Sequence, residues 1–431
     1  MKLRCIARGV TLGGLLSCAV IQGGCGGGSA NSSDASSAPP AETPTTSQAV
    51  AVAQAQRNGT LVAPAIVTAD NAFGLALFNE LNQTNSGNMA ISPTSVALAL
   101  QMVYNGAAGT TQQGMSQALQ LQGLTAPEVD IDNAALQASM IDPDPDVALL
   151  IANSLWMHLA DNPVLASFTQ ANQTYYAAEI GDLAGAPDNV NNWIAGQTDG
   201  LITNLLPAAD YALVDAVIVN ALYFKGSWTT AFDPKLTAPT PFTLSNGAQV
   251  TAQMMNQTGP FGYYAESQFQ ALRIPYGQKG TMSLLILLPA AGANLSNLVG
   301  GLTADSIDSL IAELQITTLS VGLPKFTTTW HDTLIAPLST LGMGVAFSRS
   351  AADFSGISAT QQLYISDVEH ETVVEVDEAG TTAAAATTVT VTPTIVMAPT
   401  ATMIMNRPFF YAIRDDATHA LLFIGMLVNP N

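Results

Sequence analysis

The chain has 431 residues, 48% of them hydrophobic and only 10% charged, so it can bury a large core. At roughly 100–200 residues per domain, it forms two or three domains or one unusually large one. The 12 lysines and arginines are outnumbered by 32 aspartates and glutamates, which gives a net charge of −20. Such an acidic chain repels phosphate backbones, and we therefore expect no nucleic-acid partner.

Residues 1–25 have the pattern of an export signal, with a basic start followed by a charge-free stretch from Gly9. All 3 cysteines lie in this leader, and two of them follow stretches typical of bacterial lipoproteins, in which a lipid is attached to a cysteine. The residues before Cys18 fit the usual lipobox better, whereas a glycine-rich tether follows Cys25. We expect an exported, lipid-anchored cell-envelope protein, periplasmic or cell-surface, with the lipid at Cys25 or Cys18. An ordinary secretory signal and a secreted protein are the alternative.

Residues 26–65 are rich in Gly, Ser, Ala, Pro and Thr and offer few side chains that could form a core. This composition predicts a disordered tether between the leader and the folded part. We place the folded domain at residues 66–431, which contain no cysteine and therefore no disulfide and no thiolate metal site.

Helices are predicted early in this domain. Apolar residues recur with helical spacing over 67–81. A second helix is predicted to begin after Ser92, which can act as its N-cap, with Pro93 in the first turn. It extends to Gly106 and is apolar around most of its circumference, so we expect it to be buried. A third, short helix is predicted from Gly109.

Strand-like segments, apolar or β-branched, come later in the chain. They are 149–156, 214–224, 284–288, 317–323, 373–376 and 420–427. Segment 214–224 is apolar on both faces apart from Asp215 and Asn220, which predicts a central strand. Because helices come early and strands late, we predict an α+β domain with helices packed on a large, mostly antiparallel sheet.

The sequence contains no recognisable catalytic motif. Its histidines, His158, His331, His370 and His419, are far apart, and the Gly-x-Ser-x-Gly elbow, the His-Glu-x-x-His zinc helix and the Walker loop are missing. The acidic segment 142–146 lacks the glycine and glutamate of a calcium loop, and we interpret it as a solvated loop. We therefore predict a protein that is not an enzyme and has no metal site or cofactor.

The segment 380–406 is unusual because it carries no charge. Small residues fill 381–388, valine and threonine then alternate, and Pro393 and Pro399 follow. The threonines and prolines argue against a membrane-spanning helix. A low-complexity linker fits the composition, but the segment lies between two strand-like stretches. We interpret it as an exposed loop that can become a strand.

Alternate residues of a strand point to opposite faces, and the two faces of this segment differ. One face carries Thr381, Ala383, Ala385, Thr387, Val389 and Val391. The other carries Thr382, Ala384, Ala386, Thr388, Thr390 and Thr392. The first face is small to apolar and suits a protein core. An exposed β-forming segment is normally an aggregation hazard, so its presence indicates a use.

Short motifs occur in a defined order over nearly all of residues 67–431. The longest is Val-Asn-Ala-Leu-Tyr-Phe-Lys-Gly-Ser-Trp at 219–228. The others are at 88–95, 106–111, 192–193, 198–202, 254–255, 261, 323–326, 353–356, 407–409 and 423–425. Each motif alone is weak or moderate, but their ordered combination is specific. In order and spacing it resembles the serpins, a family of serine protease inhibitors.

The resemblance implies an α+β serpin fold with a large mixed β-sheet A, smaller sheets, about eight or nine helices and an exposed reactive-centre loop at about 379–406. It also implies a suicide substrate. A serine protease cleaves the loop and forms an acyl-enzyme, and the loop inserts into sheet A before water hydrolyses the ester. Completing the sheet supplies the free energy through backbone hydrogen bonds and buried apolar surface.

By position, the resemblance assigns the hinge of the loop. Glu378 corresponds to the acid before the hinge, Gly380 to the hinge glycine, and Thr381 to the first residue that inserts. Inhibitory members have small residues next, which here are Ala383, Ala384, Ala385 and Ala386. This match favours an inhibitor over a non-inhibitory binding or substrate protein of the same fold.

The resemblance also assigns two groups of residues at the place where sheet A opens. A buried polar network, the shutter, corresponds to His370, Asn220, Ser92 and Ser95. The breach, where insertion begins, corresponds to Lys225 and Trp228.

The scissile bond is expected within a short apolar stretch. Counting from the two ends of the loop gives different positions, and the candidates are Thr394, Ile395, Val396, Met397 and Ala398. None is charged, so a trypsin-like target is disfavoured and an elastase-, chymotrypsin- or subtilisin-like serine protease fits better. A papain-like cysteine protease is a further partner class. We expect a monomer. A lipid-anchored hydrolase is the alternative from a different functional class, and the missing catalytic motifs disfavour it.

Overall fold

The structure is a computed structural model that describes residues 62–431 except for 142, 199, 201, 210, 360–362 and 382–397. The predicted leader at 1–25 and nearly all of the predicted tether at 26–65 lie outside the described residues. Most of the predicted loop does so as well.

The described residues contain nine α-helices, and six of them precede residue 200. They are α1 (Pro64–Asn82), α2 (Pro93–Tyr104), α3 (Gly109–Ala118), α4 (Ala126–Met140), α5 (Ala166–Tyr175), α6 (Asp188–Gln197), α7 (Leu295–Gly300), α8 (Ala304–Glu313) and α9 (Ile335–Thr340). The three predicted helices correspond to α1, α2 and α3. In the part of the chain that the structure covers, no helix is both long and apolar enough to cross a membrane.

The described residues also contain two short 3-10 helices, Pro234–Leu236 and Met343–Val345, and fifteen β-strands. They are β1 (Met89–Ile91), β2 (Val147–Met157), β3 (Glu179–Asp182), β4 (Ala216–Ser227), β5 (Ala238–Thr243), β6 (Gln249–Ala265), β7 (Phe269–Tyr276), β8 (Met282–Pro289), β9 (Gln315–Pro324), β10 (Phe326–Thr333), β11 (Asp367–Val376), β12 (Gly380–Thr381), β13 (Ala401–Ile404), β14 (Phe409–Asp415) and β15 (Leu421–Leu427). The six predicted strands correspond to β2, β4, β8, β9, β11 and β15.

The strands form two sheets. Sheet A has the order β10-β11-β12-β4-β2-β3, and it is mixed because β11 is parallel to β4 whereas β2 is antiparallel to β4. The second sheet has the order β1-β15-β14-β8-β7-β6-β9-β13, with β5 paired to β6. Strand β4 has neighbours on both sides, which confirms the predicted central strand. The α+β fold class is likewise confirmed.

Helix α2 lies against sheet A and contacts β4, β2 and β15. All of its residues are buried, as its apolar circumference predicts. Its first turn is capped as expected, since the Ser92 side chain accepts a hydrogen bond from the Ser95 N–H at 3.2 Å. This cap places two hydroxyl side chains directly beneath the middle of sheet A.

Sheet A is covered by apolar side chains on both faces. The main core lies on the α2 side, and a second, smaller core lies on the opposite face beneath α6. The second core packs Val217 and Val219 of β4 against Val190 and Ile194 of α6. A strand that joins the sheet beside β4 therefore lies between two apolar layers, which favours the insertion of small and apolar residues.

A buried polar network links the helices beside sheet A. The Gln101 amide donates to Asp70 Oδ1 at 2.7 Å, and the Asn133 amide donates to Gln101 Oε1 at 2.7 Å. Asn133 also contacts the Tyr176 hydroxyl, which donates to Asp130 Oδ1 at 2.8 Å. Burial, partly offset by the hydrogen bond from Gln101, raises the pKa of Asp70 to about 8.

We expect Asp70→Asn to remove a pH-dependent loss of stability. The folded carboxyl keeps its proton up to about pH 8, whereas the unfolded carboxyl loses it near pH 4. Wild-type stability therefore falls as the pH rises between these values, by up to about 1.4 kcal/mol per pH unit from this group. Unfolding midpoints at pH 5, 6, 7 and 8 should show the variant gaining on wild type at each step. The exposed Asp305→Asn is the control, and a variant that tracks wild type at every pH contradicts the assignment.

Candidate functional site

The predicted hinge already lies in sheet A. Gly380 and Thr381 form β12 between β11 and β4, with Thr381 opposite Val376 on one side and Gly226 on the other. This corrects the prediction of an exposed loop from about 379, because the first two hinge residues are paired. A Cβ at Gly380 would lie 2.0 Å from the Gly226 carbonyl oxygen, so only glycine fits there.

Aromatic side chains enclose the first inserted residue. The Thr381 side chain is buried, and its hydroxyl is 2.5 Å from the Tyr276 hydroxyl. The Tyr276 ring stacks on Trp228 with centroids 4.5 Å apart and meets the Phe224 ring edge-on at 5.0 Å. Position 381 therefore accepts a small side chain with one hydrogen-bonding group and has no room for a charge.

Trp228 lies at the mouth of sheet A, which is the end of the sheet where β12 enters between β11 and β4. The resemblance assigns Trp228 to the breach. Its indole N–H donates to the Asp377 carbonyl at 2.9 Å, and its backbone N–H donates to the Ala379 carbonyl at 2.9 Å. The Phe232 N–H donates to the carbonyl of Glu378 at 2.9 Å. Three consecutive carbonyls before the hinge are thus held, which directs the chain back into the sheet. Lys225, the other predicted breach residue, is half-buried on β4 next to Gly226.

The predicted acid before the hinge forms an ion pair. Glu378 Oε2 lies 2.7 Å from Lys325 Nζ, and Glu378 Oε1 accepts a hydrogen bond from the Thr237 hydroxyl at 2.7 Å. Burial opposes ionisation, but these bonds prevail and lower the pKa of Glu378. Lys325 was not predicted as a site residue, although it lies in the Leu-Pro-Lys-Phe motif that the resemblance uses.

The four predicted shutter residues come together beneath the middle of sheet A. His370 Nδ1 donates to Asn220 Oδ1 at 2.9 Å, and the Ser92 N–H donates to His370 Nε2 at 3.1 Å. The Asn220 amide nitrogen lies 2.6 Å from Ser95 Oγ and 2.7 Å from Asn153 Oδ1. Asn153 was missed, and the signal for it was an amide within the apolar strand 149–156.

The shutter bond crosses the boundary between β4 and β11. His370 and Asn220 are directly paired in the parallel register of these strands. His370 is fully buried, and burial lowers its pKa to about 3, so the ring is neutral with one donor and one acceptor nitrogen. The network therefore fastens the closed sheet, and separating β4 from β11 breaks the bond between these two side chains.

Comparison with known proteins agrees with this geometry. Residues 68–430 match the family model for the serpins, described as serine protease inhibitors. The chain belongs to the serpin family. Serpins are protease inhibitors rather than enzymes, and membership of the family supports serine protease inhibition by this chain.

Several relatives cover nearly the whole domain. A leukocyte elastase inhibitor of Sus scrofa is 34% identical over 381 residues, which span 84% of this chain and 98% of the relative. An uncharacterised serpin-like protein of Thermococcus kodakarensis is 32% identical over 379 residues, which span 85% of this chain and 86% of the relative. The native structure of tengpin, a thermophilic serpin, is 30% identical with a TM-score of 0.78, covering 84% of this chain and 94% of tengpin.

The acidic segment 142–146 of this serpin is not simply a solvated loop. Asp144 is buried, and its carboxylate accepts hydrogen bonds from the backbone N–H groups of Asp146, Gln278 and Lys279, at 2.9, 3.1 and 2.7 Å. The interpretation as a solvated loop was wrong for Asp144, because two of its three donors, Gln278 and Lys279, come from a turn more than a hundred residues away. Asp146 is exposed, as expected.

The far end of the loop is also shorter than predicted. Residues Ala401–Ile404 form β13, which runs parallel to β9 in the second sheet. Within the predicted loop at about 379–406, the described residues Gly380–Thr381 and Ala401–Ile404 are thus paired in strands. Ala398, one of the scissile-bond candidates, is exposed.

The remaining predicted residues lie outside the described part of this serpin. They are Cys18, Cys25, Ala383, Ala384, Ala385, Ala386, Thr394, Ile395, Val396 and Met397. Among the residues that are described, no group of three or more His, Cys, Asp and Glu side chains could hold a metal ion.

Proposed function

We propose that this serpin traps a serine protease as a suicide substrate, and the observation that carries the proposal is the hinge already paired in sheet A. The protease cleaves the loop and remains bound as an acyl-enzyme. The freed segment after Thr381 then continues β12 as a full strand between β4 and β11. The attached protease is carried to the far end of the sheet, and its active site is distorted before the ester is hydrolysed.

The orientation of β4 and β11 suits this insertion. The two strands are parallel to each other, and β12 is antiparallel to both. A chain that leaves β11 through the turn 377–379 therefore enters between them in a direction that pairs with both neighbours. No strand has to reverse, and successive residues of the added strand can form backbone hydrogen bonds alternately to β4 and to β11.

The sheet is already open for a short distance below the hinge. Direct pairing between β11 and β4 begins only at Thr372 and Leu222, whereas Thr381 lies opposite Val376 and Gly226. Continuing the β12 register places residues 382–384 in this gap without breaking any pair between β4 and β11. The first pair that must separate lies opposite Ala385, so the cost of opening starts after insertion has begun.

The same register explains how the shutter survives insertion. It places Thr387 directly between Asn220 and His370, on the inner face that Thr381 shares. The inserted strand would lie about 4.8 Å from β4 and about 4.8 Å from β11. The side chains of Asn220 and His370 would then be too far apart for a direct hydrogen bond. We infer that the Thr387 hydroxyl takes the place of Asn220 as the partner of His370, so that no buried ring nitrogen is left unsatisfied.

The residues Thr394 to Ala398 define the target class. None can place a cation in the primary specificity pocket of a protease, and Thr, Ile, Val, Met and Ala all suit an apolar pocket. We therefore propose an elastase-, chymotrypsin- or subtilisin-like target. The relatives named leukocyte elastase inhibitors support this choice. A papain-like cysteine protease is a secondary target.

The direct test is to incubate the protein with pancreatic elastase, chymotrypsin, subtilisin, papain and trypsin and to separate the products by denaturing gel. We expect a covalent band at the summed mass with at least one of the first three proteases and none with trypsin. Mass spectrometry of the released C-terminal fragment identifies the scissile bond. The cleaved protein should also melt at a markedly higher temperature than the intact one, because the inserted strand completes sheet A.

The opposite result has a specific meaning. Cleavage between 390 and 400 without a covalent band, and with no rise in melting temperature, contradicts the trapping mechanism. The protein would then be a non-inhibitory serpin that acts as a substrate or binding protein. Complexes with trypsin would instead contradict the proposed specificity while leaving the trapping mechanism intact.

Substitution at the hinge separates insertion from cleavage. Thr381→Arg should turn the inhibitor into a substrate, because the charge must enter the buried site beside Tyr276. Thr382→Arg is the matched control, since the next residue of a strand points to the other face and meets Lys225 and Glu375 in the extended register. The measurement is the number of inhibitor molecules consumed per protease trapped. Equal values for the two variants would argue against insertion through β12.

We also propose that the leader exports the protein and that a lipid at Cys25 or Cys18 anchors it to the cell envelope, with 26–65 as a tether. The order of basic residues, apolar stretch and cysteine in the sequence supports this. In a bacterial host, labelled palmitate should be incorporated by wild type and lost in either Cys25→Ser or Cys18→Ser, which identifies the site. A protein that carries no label and is recovered from the medium would instead have an ordinary secretory signal.

A further inference from the structure

The buried carboxylate of Asp144 holds a turn in place at the mouth of sheet A. Its Oδ1 accepts from the N–H groups of Asp146 and Gln278, and its Oδ2 accepts from the N–H of Lys279 at 2.7 Å. Burial disfavours the charge, but the three backbone donors prevail and lower the pKa of Asp144. Asp144 forms an isolated β-bridge with Val147, the first residue of β2, so the carboxylate joins sheet A to the turn between β7 and β8.

The turn is built around this carboxylate. Gly277 has φ +68°, and a Cβ there would lie 2.4 Å from Asp144 Cγ, so glycine is required both by the backbone and by the carboxylate. The Lys279 ammonium donates to the Pro143 carbonyl at 3.0 Å, and the Gln278 amide donates to Asp146 Oδ2 at 3.0 Å. Two segments distant in sequence are therefore joined side by side.

Both segments also reach the hinge. The turn begins directly after Tyr276, whose hydroxyl contacts Thr381. The Gly277 N–H donates to the Ser227 carbonyl at 2.8 Å, and the Ser227 N–H donates to the Asp146 carbonyl at 3.0 Å. Ser227 is the residue of β4 that pairs with Gly380. Each hinge residue thus has a partner that is bonded to the turn or to the Asp144 loop.

We infer that Asp144 is a positioning residue for loop insertion, which holds Tyr276 and Ser227 so that Gly380 and Thr381 stay in sheet A before the protease arrives. Its carboxylate touches neither the loop nor the protease. It acts by keeping β12 formed in the uncleaved protein. Cleavage then only has to extend this strand and does not have to start a new one. This inference rests on the proposed function.

The two oxygens of Asp144 allow a graded test. Asp144→Asn keeps one acceptor oxygen and loses the other, whereas Asp144→Ala loses all three hydrogen bonds. Asp305→Asn is the control, because this exposed acid lies outside both segments. Tyr276→Phe removes only the hydroxyl contact to Thr381 and leaves the turn intact, so it tests the last link in a protein that folds normally.

The first measurement is amide hydrogen exchange of the intact, uncleaved protein. In Asp144→Ala, exchange should quicken both in the turn 276–281 and in the hinge 376–381, on the order of tenfold, the scale set by losing a hydrogen bond to a charged acceptor. Asp144→Asn should be intermediate, and Asp305→Asn should match wild type. Faster exchange in the turn alone, with an unchanged hinge, would overturn the inference.

The second measurement is the partition between trapping and turnover. Asp144→Ala and Tyr276→Phe should each consume severalfold more inhibitor per trapped protease, while the rate of the first acylation stays at the wild-type value, because the scissile stretch is untouched. A purely structural role would lower stability without this split. Unchanged consumption in both variants contradicts the inference.

The two measurements also separate this inference from the proposed function. If wild type traps no protease, the proposed function fails. The exchange experiment still decides whether Asp144 controls the hinge.

Discussion

The hydrogen bond between His370 and Asn220 is the interaction on which the working of this serpin depends. It joins the parallel strands β4 and β11 at the position where sheet A is closed, and it is fully buried. Because both partners are removed from water, the bond is directional and costly to leave unmade. The sheet therefore stays closed in the native state, yet it can open if an equivalent hydrogen-bonding group arrives with the new strand.

At the mouth of the sheet, contacts hold the first hinge residues in place, so that insertion has begun but is not complete. The ion pair of Glu378 with Lys325 and the bonds from Trp228 fix the turn before the hinge. Thr381 is then enclosed by Tyr276, and the pairing of β4 with β11 that starts at Thr372 must separate before insertion can be completed. Polar contacts therefore favour the first step of insertion, and direct strand pairing opposes its completion.

Composition and mechanism agree in this chain. A segment that spends time outside the sheet and later lies between two apolar cores must be uncharged, small on its inner face and free of proline until the sheet ends. Residues 381–392 meet these requirements, and Pro393 comes only after them. A β-forming segment of this kind is an aggregation hazard whenever it is exposed.

The sequence by itself determined the fold class, the central strand at 214–224, the buried helix after Ser92 and, through resemblance, the shutter and the hinge. These follow from local patterns, namely apolar periodicity, capping and small-residue runs, that are read over a few neighbouring residues. Only the tertiary structure decided that Gly380 and Thr381 already lie in the sheet, that Asn153 joins the shutter and that Asp144 is buried. Each of these depends on partners far away in sequence and on strand register, and no local pattern records which donors a carboxylate or an amide will meet once the sheets have packed.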